Sequence, residues 1–184
     1  HDQPAAPGAG PAGGGLGHTS TIGAFAEHTV VAAGSLVRID PDIPLVPAAL
    51  LSCAVPTGYG SAVHRAKVRG GDTVVVIGAG GIGTAAIQGA RINGATVIVA
   101  VDPIAAKQKS ALSFGATHTA TDADEATGLV RDLTRGVMAD AVVLAPSEIT
   151  GVDIGSALTL TRKGGTCVLT GMASAGYQPV MLDV

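Results

Sequence analysis

The feature that most restricts the fold is a valine run ending in a glycine-rich turn. Val74-Val75-Val76-Ile77 leads without a spacer into Gly78-Ala79-Gly80-Gly81-Ile82-Gly83, and apolar residues continue at helical spacing to about Asn93. β-Branched residues favour a buried strand, and glycines in the pattern G-x-G-x-x-G allow a turn tight enough to start a helix at once. Such spacing alone is a weak signal. Here the flanks agree with it, and a second apolar strand ends on Asp102, nineteen residues past Gly83.

The same alternation of strand and helix runs through most of the chain after Gly71. Strand Thr73 to Ile77, helix Gly81 to Asn93, strand Thr96 to Val101 and helix Ile104 to Phe114 lead to a short strand near Thr117. Then come a helix from about Ala123 to Thr134, strand Asp140 to Ala145, helix Gly151 to Thr161 and strand Gly165 to Thr170. Short buried strands joined by amphipathic helices predict an α/β fold, a Rossmann-type doubly wound parallel sheet. Aromatic residues are 2% of a chain that is 47% hydrophobic, so the core is built from Ala, Val, Ile and Leu, which suits thin layers on both faces of a sheet. One more extended segment, Pro179 to Leu182, comes after these without a final crossover, and the sheet is expected to be incomplete at its C-terminal side.

Each part of the turn has a physical task. Gly78 permits the tight bend, Gly80 lets backbone approach a diphosphate, and Gly83 lets the helix pack against the strand, while Gly81 and Ile82 open the helix whose free N–H groups receive the anion. Asp102 is placed to accept hydrogen bonds from ribose hydroxyls, and its charge repels the extra phosphate of NADP. The expected coenzyme is NAD. A plain strand-to-helix turn with Asp102 as a strand-end cap is the structural alternative.

The rest of the chain is less specific. Residues 1–20 read as a Gly/Pro/Ala-rich arm. Ala24 to Ile39 reads as two short strands, FAEHTVVA and SLVRI, joined by a turn at Ala33-Gly34-Ser35 and closed by Pro41. Pro44 to Ser52 and Pro56 to Val68 are helical candidates separated by Cys53-Ala54-Val55, a place from which a cysteine can point into a cleft. The domains expected are therefore the tail of a β-rich unit over 21–54 and a dinucleotide-binding domain over 55–184.

A net charge of -3 without a Lys/Arg run offers no footprint for nucleic acid. Apolar stretches are broken before bilayer length and no signal peptide opens the chain, so the expectation is a cytoplasmic protein with a small-molecule partner. Cys53 and Cys167 are too few for a disulfide framework, and a lone cysteine by itself reads as a small buried hydrophobe. Cys167, in GTCVLTG, is expected in the core; His28 and His64 are assigned to structure, and His1, His18 and His118 to the surface.

Leu51-Ser52-Cys53-Ala54-Val55-Pro56-Thr57-Gly58-Tyr59-Gly60-Ser61 resembles the medium-chain, zinc-dependent alcohol dehydrogenases, which carry a Cys followed closely by Thr-Gly-Tyr-Gly before the nucleotide turn. The resemblance extends through Gly70-Gly71-Asp72-Thr73-Val74, the glycine turn, Asp102, Phe114-Gly115-Ala116-Thr117 and Gly164-Gly165-Thr166, and VRDLTRGVMAD is similar to the nitrosodimethylaniline-dependent group. It implies a remnant of a GroES-like barrel ahead of the Rossmann domain. It also implies a catalytic Zn²⁺ with Cys53 as one ligand, and NAD-dependent interconversion of an alcohol with an aldehyde or ketone. Thr57 and Ile82 match positions beside the nicotinamide, Lys107 a basic residue near the adenosine ribose, and Thr170 a coenzyme-contacting position. The other zinc ligands, and a structural zinc lobe, would lie upstream of His1. A homo-oligomer joined through an edge strand near Tyr177 to Val184 is implied as well. Ala145-Pro146-Ser147 departs from the family, which commonly has a glycine there. Two other readings stay open: a zinc-free quinone or enoyl reductase relative, and a truncated, non-catalytic NAD-binding module.

Overall fold

Val74 and Val76 point to one side of a strand and Val75 to the other, yet all three are buried, so both faces must be covered. In the computed structural model, which describes residues 26–173 and 179–180, five parallel strands meet that demand. They are β1 (Thr73–Ile77), β2 (Val97–Val101), β3 (His118–Ala120), β4 (Ala139–Leu144) and β6 (Thr161–Leu169), in the order β3-β2-β1-β4-β6. Reading only these five in chain order gives 3-2-1-4-5, the first five places of the Rossmann order. β1 is paired on both sides, Val75 facing Val99 on β2 and Val142 on β4. β5 (Glu148–Ile149) and β7 (Met172–Ala173) add a separate two-stranded parallel ladder, which sequence patterning misses because two-residue strands have no period.

The chain divides into two units, at Ile43 and Pro44. In the first, the described residues 26–43 form no strand, contrary to the two expected there. Val30 is 100% and Val37 88% exposed, and a strand needs a lateral partner that alternating residues do not supply by themselves. Only the turn stands where expected, as a 3₁₀ turn at Ala33–Ser35. The arm from His1 and the part of the first strand up to Phe25 lie outside the described residues, as does most of the Tyr177 to Val184 segment.

In the second unit, α1 (Leu45–Ala48) runs into a 3₁₀ turn, Ala49–Ser52, and bends by 54° at Cys53 into α2 (Ala54–Gly60). The unit thus begins at Pro44, ahead of the boundary expected after residue 54. α2 continues as a π-helical turn, Ser61–Arg65. α3 (Gly81–Ile92) and α4 (Ala105–Phe114) follow β1 and β2, and α5 (Ala123–Thr134) and α6 (Gly151–Leu160) flank β4. α5 starts where expected because the Asp122 carboxylate accepts the Glu125 N–H at 2.9 Å. α6 opens with a reciprocal capping box between Thr150 and Asp153.

Two apolar layers result. Val74, Val76, Ile98, Ala100 and Val143 pack under α2, α3 and α4, and Val75, Val99, Val142 and Leu144 pack with Ala126, Val130, Ala157 and Leu160 of α5 and α6. Burying Ile87 alone contributes about 1.5–3 kcal/mol. Cys167, expected in the core, is only half-buried, because β6 is the edge strand of the described sheet. Among the described residues no single helix is long and apolar enough to cross a membrane.

Small residues let α2 and α3 approach closely. A Cβ on Gly58 would collide with the Ile82 carbonyl and lie 2.8 Å from the Ala85 Cβ, whereas one on Gly60 would meet nothing nearer than His64 Cδ2 at 3.9 Å. Gly58→Ala is therefore expected to cost about 1–3 kcal/mol in thermal or denaturant unfolding. Gly60→Ala, which relieves the helical cost of glycine, should be neutral or slightly stabilising. Equal effects would contradict the packing described.

Asp140 ties three strands at the opposite end of the sheet, accepting the Thr73 N–H at 2.8 Å and the Arg162 Nε–H at 2.7 Å. Burial pushes its pKa up, but the Thr73 N–H and the Arg162 guanidinium outweigh that and hold the carboxyl below its ordinary value. A depressed folded-state pKa stabilises the fold above the unfolded-state value, and that contribution disappears as pH falls through the folded-state pKa. Asp140→Asn should destabilise by about 1 kcal/mol at neutral pH, and the deficit should shrink below about pH 4. Urea unfolding at both pH values reads this.

Candidate functional site

The site lies at the C-terminal ends of β1, β2 and β4, where a doubly wound sheet leaves a crevice between diverging helices. β1 ends at Ile77, and Gly78 turns the chain with φ +92°, a conformation that disfavours any side chain. A Cβ there would also lie 2.7 Å from the Ala145 carbonyl oxygen and 2.8 Å from the Pro146 nitrogen. The departure at Ala145-Pro146 thus sits directly against the turn. A Cβ on Gly83 would collide with the Gly78 carbonyl, so the helix returns across its own turn. Around Gly80 nothing lies within 4 Å of the place a Cβ would take, which leaves the backbone open to a ligand. α3 begins at Gly81, and its first N–H groups have no acceptor within the helix.

Asp102 stands beside this turn, 4% exposed. One carboxylate oxygen accepts the Ala79 N–H at 3.0 Å, and the other accepts the Ile104 N–H at 2.9 Å. Lys107, one turn into α4, places its Nζ 3.7 Å from the same carboxylate while remaining largely exposed. Gly78, Gly80, Gly81, Ile82, Gly83, Asp102 and Lys107 therefore converge in space, although they come from two turns separated by α3 and β2. Gln108 is an addition that spacing did not reveal. Its amide donates to the Asp102 carbonyl at 2.8 Å and approaches the Ala120 carbonyl at 3.5 Å, joining the ends of β2 and β3.

On the other side of the turn is a cleft of about 670 Å³ between α2 with its π turn and β6. Thr57 and Thr170, far apart in sequence, both line it, together with Ser61, His64, Arg65 and Cys167. Ser61 is buried and donates its hydroxyl to the Thr57 carbonyl at 2.7 Å. His64, assigned to structure by its spacing from Cys53, lies seven residues after Thr57 on the same helical face and lines this cleft with it, while its ring meets Tyr59 edge-on at 6.2 Å. Burial raises the Cys167 thiol above its ordinary pKa, so it is a poor thiolate. Thr170 is fixed by its hydroxyl donating to the Leu144 carbonyl at 3.0 Å.

Cys53 precedes α2, its carbonyl accepting the Thr57 N–H at 3.1 Å. Among the described residues its side chain is exposed rather than packed. The neighbouring Ala54 Cβ lies 3.4 Å from where a Cβ on Gly81 would sit, so the segment carrying Cys53 abuts the glycine turn. Among the described residues no three His, Cys, Asp or Glu side chains form a group that could hold a metal ion. Cys53 is thus a single donor, and the residues present do not by themselves make a zinc site.

Known proteins share this outline. Residues 81–184 match the family described as zinc-binding dehydrogenase. The chain is 46% identical over 163 residues to alcohol dehydrogenase B of Mycobacterium tuberculosis, covering 89% of this chain and 44% of that protein. It is 44% identical over 153 residues to the NDMA-dependent alcohol dehydrogenase of Amycolatopsis methanolica, covering 83% and 41%. The crystal structure of an alcohol dehydrogenase zinc-binding domain protein from Burkholderia ambifaria superposes with a TM-score of 0.71 at 28% identity, over 79% of this chain and 38% of that one. The chain spans less than half the length of these relatives. The Rossmann sheet, the glycine turn and a family match over more than half of the chain lead to one conclusion: this chain belongs to the zinc-binding dehydrogenase family.

Proposed function

We propose that this chain is the NAD-binding portion of an alcohol dehydrogenase that oxidises an alcohol to an aldehyde or ketone, reversibly, with a catalytic zinc in the complete protein. The observation that carries this reading is the buried Asp102 carboxylate beside the open backbone of Gly80. A diphosphate would accept the first N–H groups of α3, where the helix end adds partial positive charge, and the outer face of Asp102 would accept ribose hydroxyls. Lys107 already pairs with Asp102, which supports NAD over NADP because the 2′-phosphate of NADP would have to displace that carboxylate or face it. When bound, such a coenzyme would supply the hydride-accepting and hydride-donating chemistry of its nicotinamide ring. Thr57, with Ile82 beside it, would pack against that ring, and Thr170 would close its other side.

For zinc the reading rests on the family and on the exposed thiol of Cys53 next to the coenzyme turn. One cysteine does not define the geometry of that metal. A remnant of the catalytic domain over residues 21–54, a homo-oligomer, a cytoplasmic place and a small alcohol or aldehyde as substrate belong to the same proposal. The names of the relatives support the substrate class.

Isothermal titration tests the coenzyme. NAD should bind the chain and NADP should bind at least about tenfold more weakly, a like-charge penalty of about 1.4 kcal/mol or more. Preference for NADP would move the assignment to the reductase relatives. In the complete protein, Cys53→Ala should abolish catalytic zinc measured by elemental analysis while NAD titration of the coenzyme site stays near wild type. Unchanged zinc content would remove Cys53 from the ligand set.

A further inference from the structure

Each oxygen of the Asp102 carboxylate already holds a protein partner before any coenzyme arrives, with acceptor capacity left on both. Oδ2 accepts the Ala79 N–H at 3.0 Å and faces Lys107 Nζ at 3.7 Å, and Oδ1 accepts the Ile104 N–H at 2.9 Å. Its backbone is held as well, the N–H donating to the Ala120 carbonyl at 3.1 Å and the carbonyl receiving the Gln108 amide at 2.8 Å. Ala79 lies between the two glycines that shape the phosphate turn, and it is itself 6% exposed. Its N–H points away from the anion site into the carboxylate. Without that acceptor a buried donor would be left unsatisfied, and the turn would relax to find another partner.

We propose that Asp102 is a positioning residue for the diphosphate: by holding the Ala79 N–H it keeps the Gly80 to Gly83 backbone in its anion-receiving shape, besides selecting the ribose. This rests on the coenzyme reading and deepens it. Ribose selection and diphosphate grip then share one side chain. A substitution that removes the negative charge to admit NADP also loosens the turn that both coenzymes need, so coenzyme preference cannot be reversed at this position alone. Asparagine does not substitute well, because its single carbonyl oxygen can serve Ala79 or Ile104 but its NH₂ confronts the other donor.

The two roles separate with a probe that has a diphosphate but no ribose hydroxyls, 2′,3′-dideoxyadenosine diphosphate. A residue that only reads the ribose is indifferent to this probe. Asp102→Asn and Asp102→Ala are expected to bind it about tenfold or more weakly than wild type, the scale of a lost hydrogen bond to a charged group. Amide hydrogen exchange supplies a second reading without coenzyme. In the wild-type chain the Ala79 amide should be protected while the Gly80 amide exchanges freely, and Asp102→Ala, which leaves no acceptor, should release Ala79. Dideoxy probe binding equal to wild type in folded Asp102→Ala overturns the proposal. So does a wild-type Ala79 amide that exchanges as fast as that of Gly80, a result that needs no variant to fold. Failure of wild type to bind NAD would instead sink the coenzyme reading, and exchange at Ala79 would still decide whether the tether exists.

Discussion

The rest of the molecule depends on a place where backbone touches backbone. The Gly78 carbonyl occupies the position a Cβ on Gly83 would need, so β1, its turn and α3 close on one another without a side chain between them. Such closure points the first N–H groups of α3 at the crevice over the sheet, and it lowers α3 onto Val74 and Val76. Once α3 is seated, Gly58 can bring α2 against the Ile82 carbonyl, and α2 carries Thr57 to the cleft and Cys53 to the edge of the turn. One steric condition thus links core packing to the placement of every candidate residue on that side of the site.

A core of small aliphatic residues is the counterpart of that condition. Ala86 and Ala90 on α3 face valines and alanines on the sheet while Ala85 faces α2 at Gly58, and layers this thin keep the helices close enough for backbone-level contacts. The close layers also concentrate polar groups at the strand ends. Asp102 at one end and Asp140 at the other each accept N–H groups from neighbouring strands or turns, and each lies beside a cation, Lys107 or Arg162. The two carboxylates play similar mechanical roles, but only Asp102 stands beside the glycine turn, at the C-terminal end of the sheet.

Much of this architecture is legible in the residues alone. Strand boundaries from β1 to β4 agree within about two residues, because buried β-branched runs and glycine or capping residues are local signals. The expected starts of α5 and α6 agree for the same reason. The strands expected over Ala24 to Ile39 did not form among the described residues, since alternation describes a face but cannot provide a neighbour to pair with. Spacing from Cys53 assigns His64 to structure, whereas its place seven residues after Thr57 puts it on the helical face that lines the cleft. Gly58 could have been found, as a buried glycine inside a helix invites the question of what approaches it.

By itself, then, the amino-acid sequence determined the glycine turn, the order of strands and helices, and the family, all of which rest on residue types at short spacings. Tertiary structure decided what those residues do to one another. Only the folded chain shows that Asp102 holds Ala79 twenty-three positions away, that Thr57 and Thr170 share a cleft, and that the thiol of Cys53 is exposed while that of Cys167 is half-buried. The reason is physical: turns and caps are set by neighbouring dihedrals and side chains, whereas hydrogen bonds between separate turns exist only after the sheet has brought their strands into register.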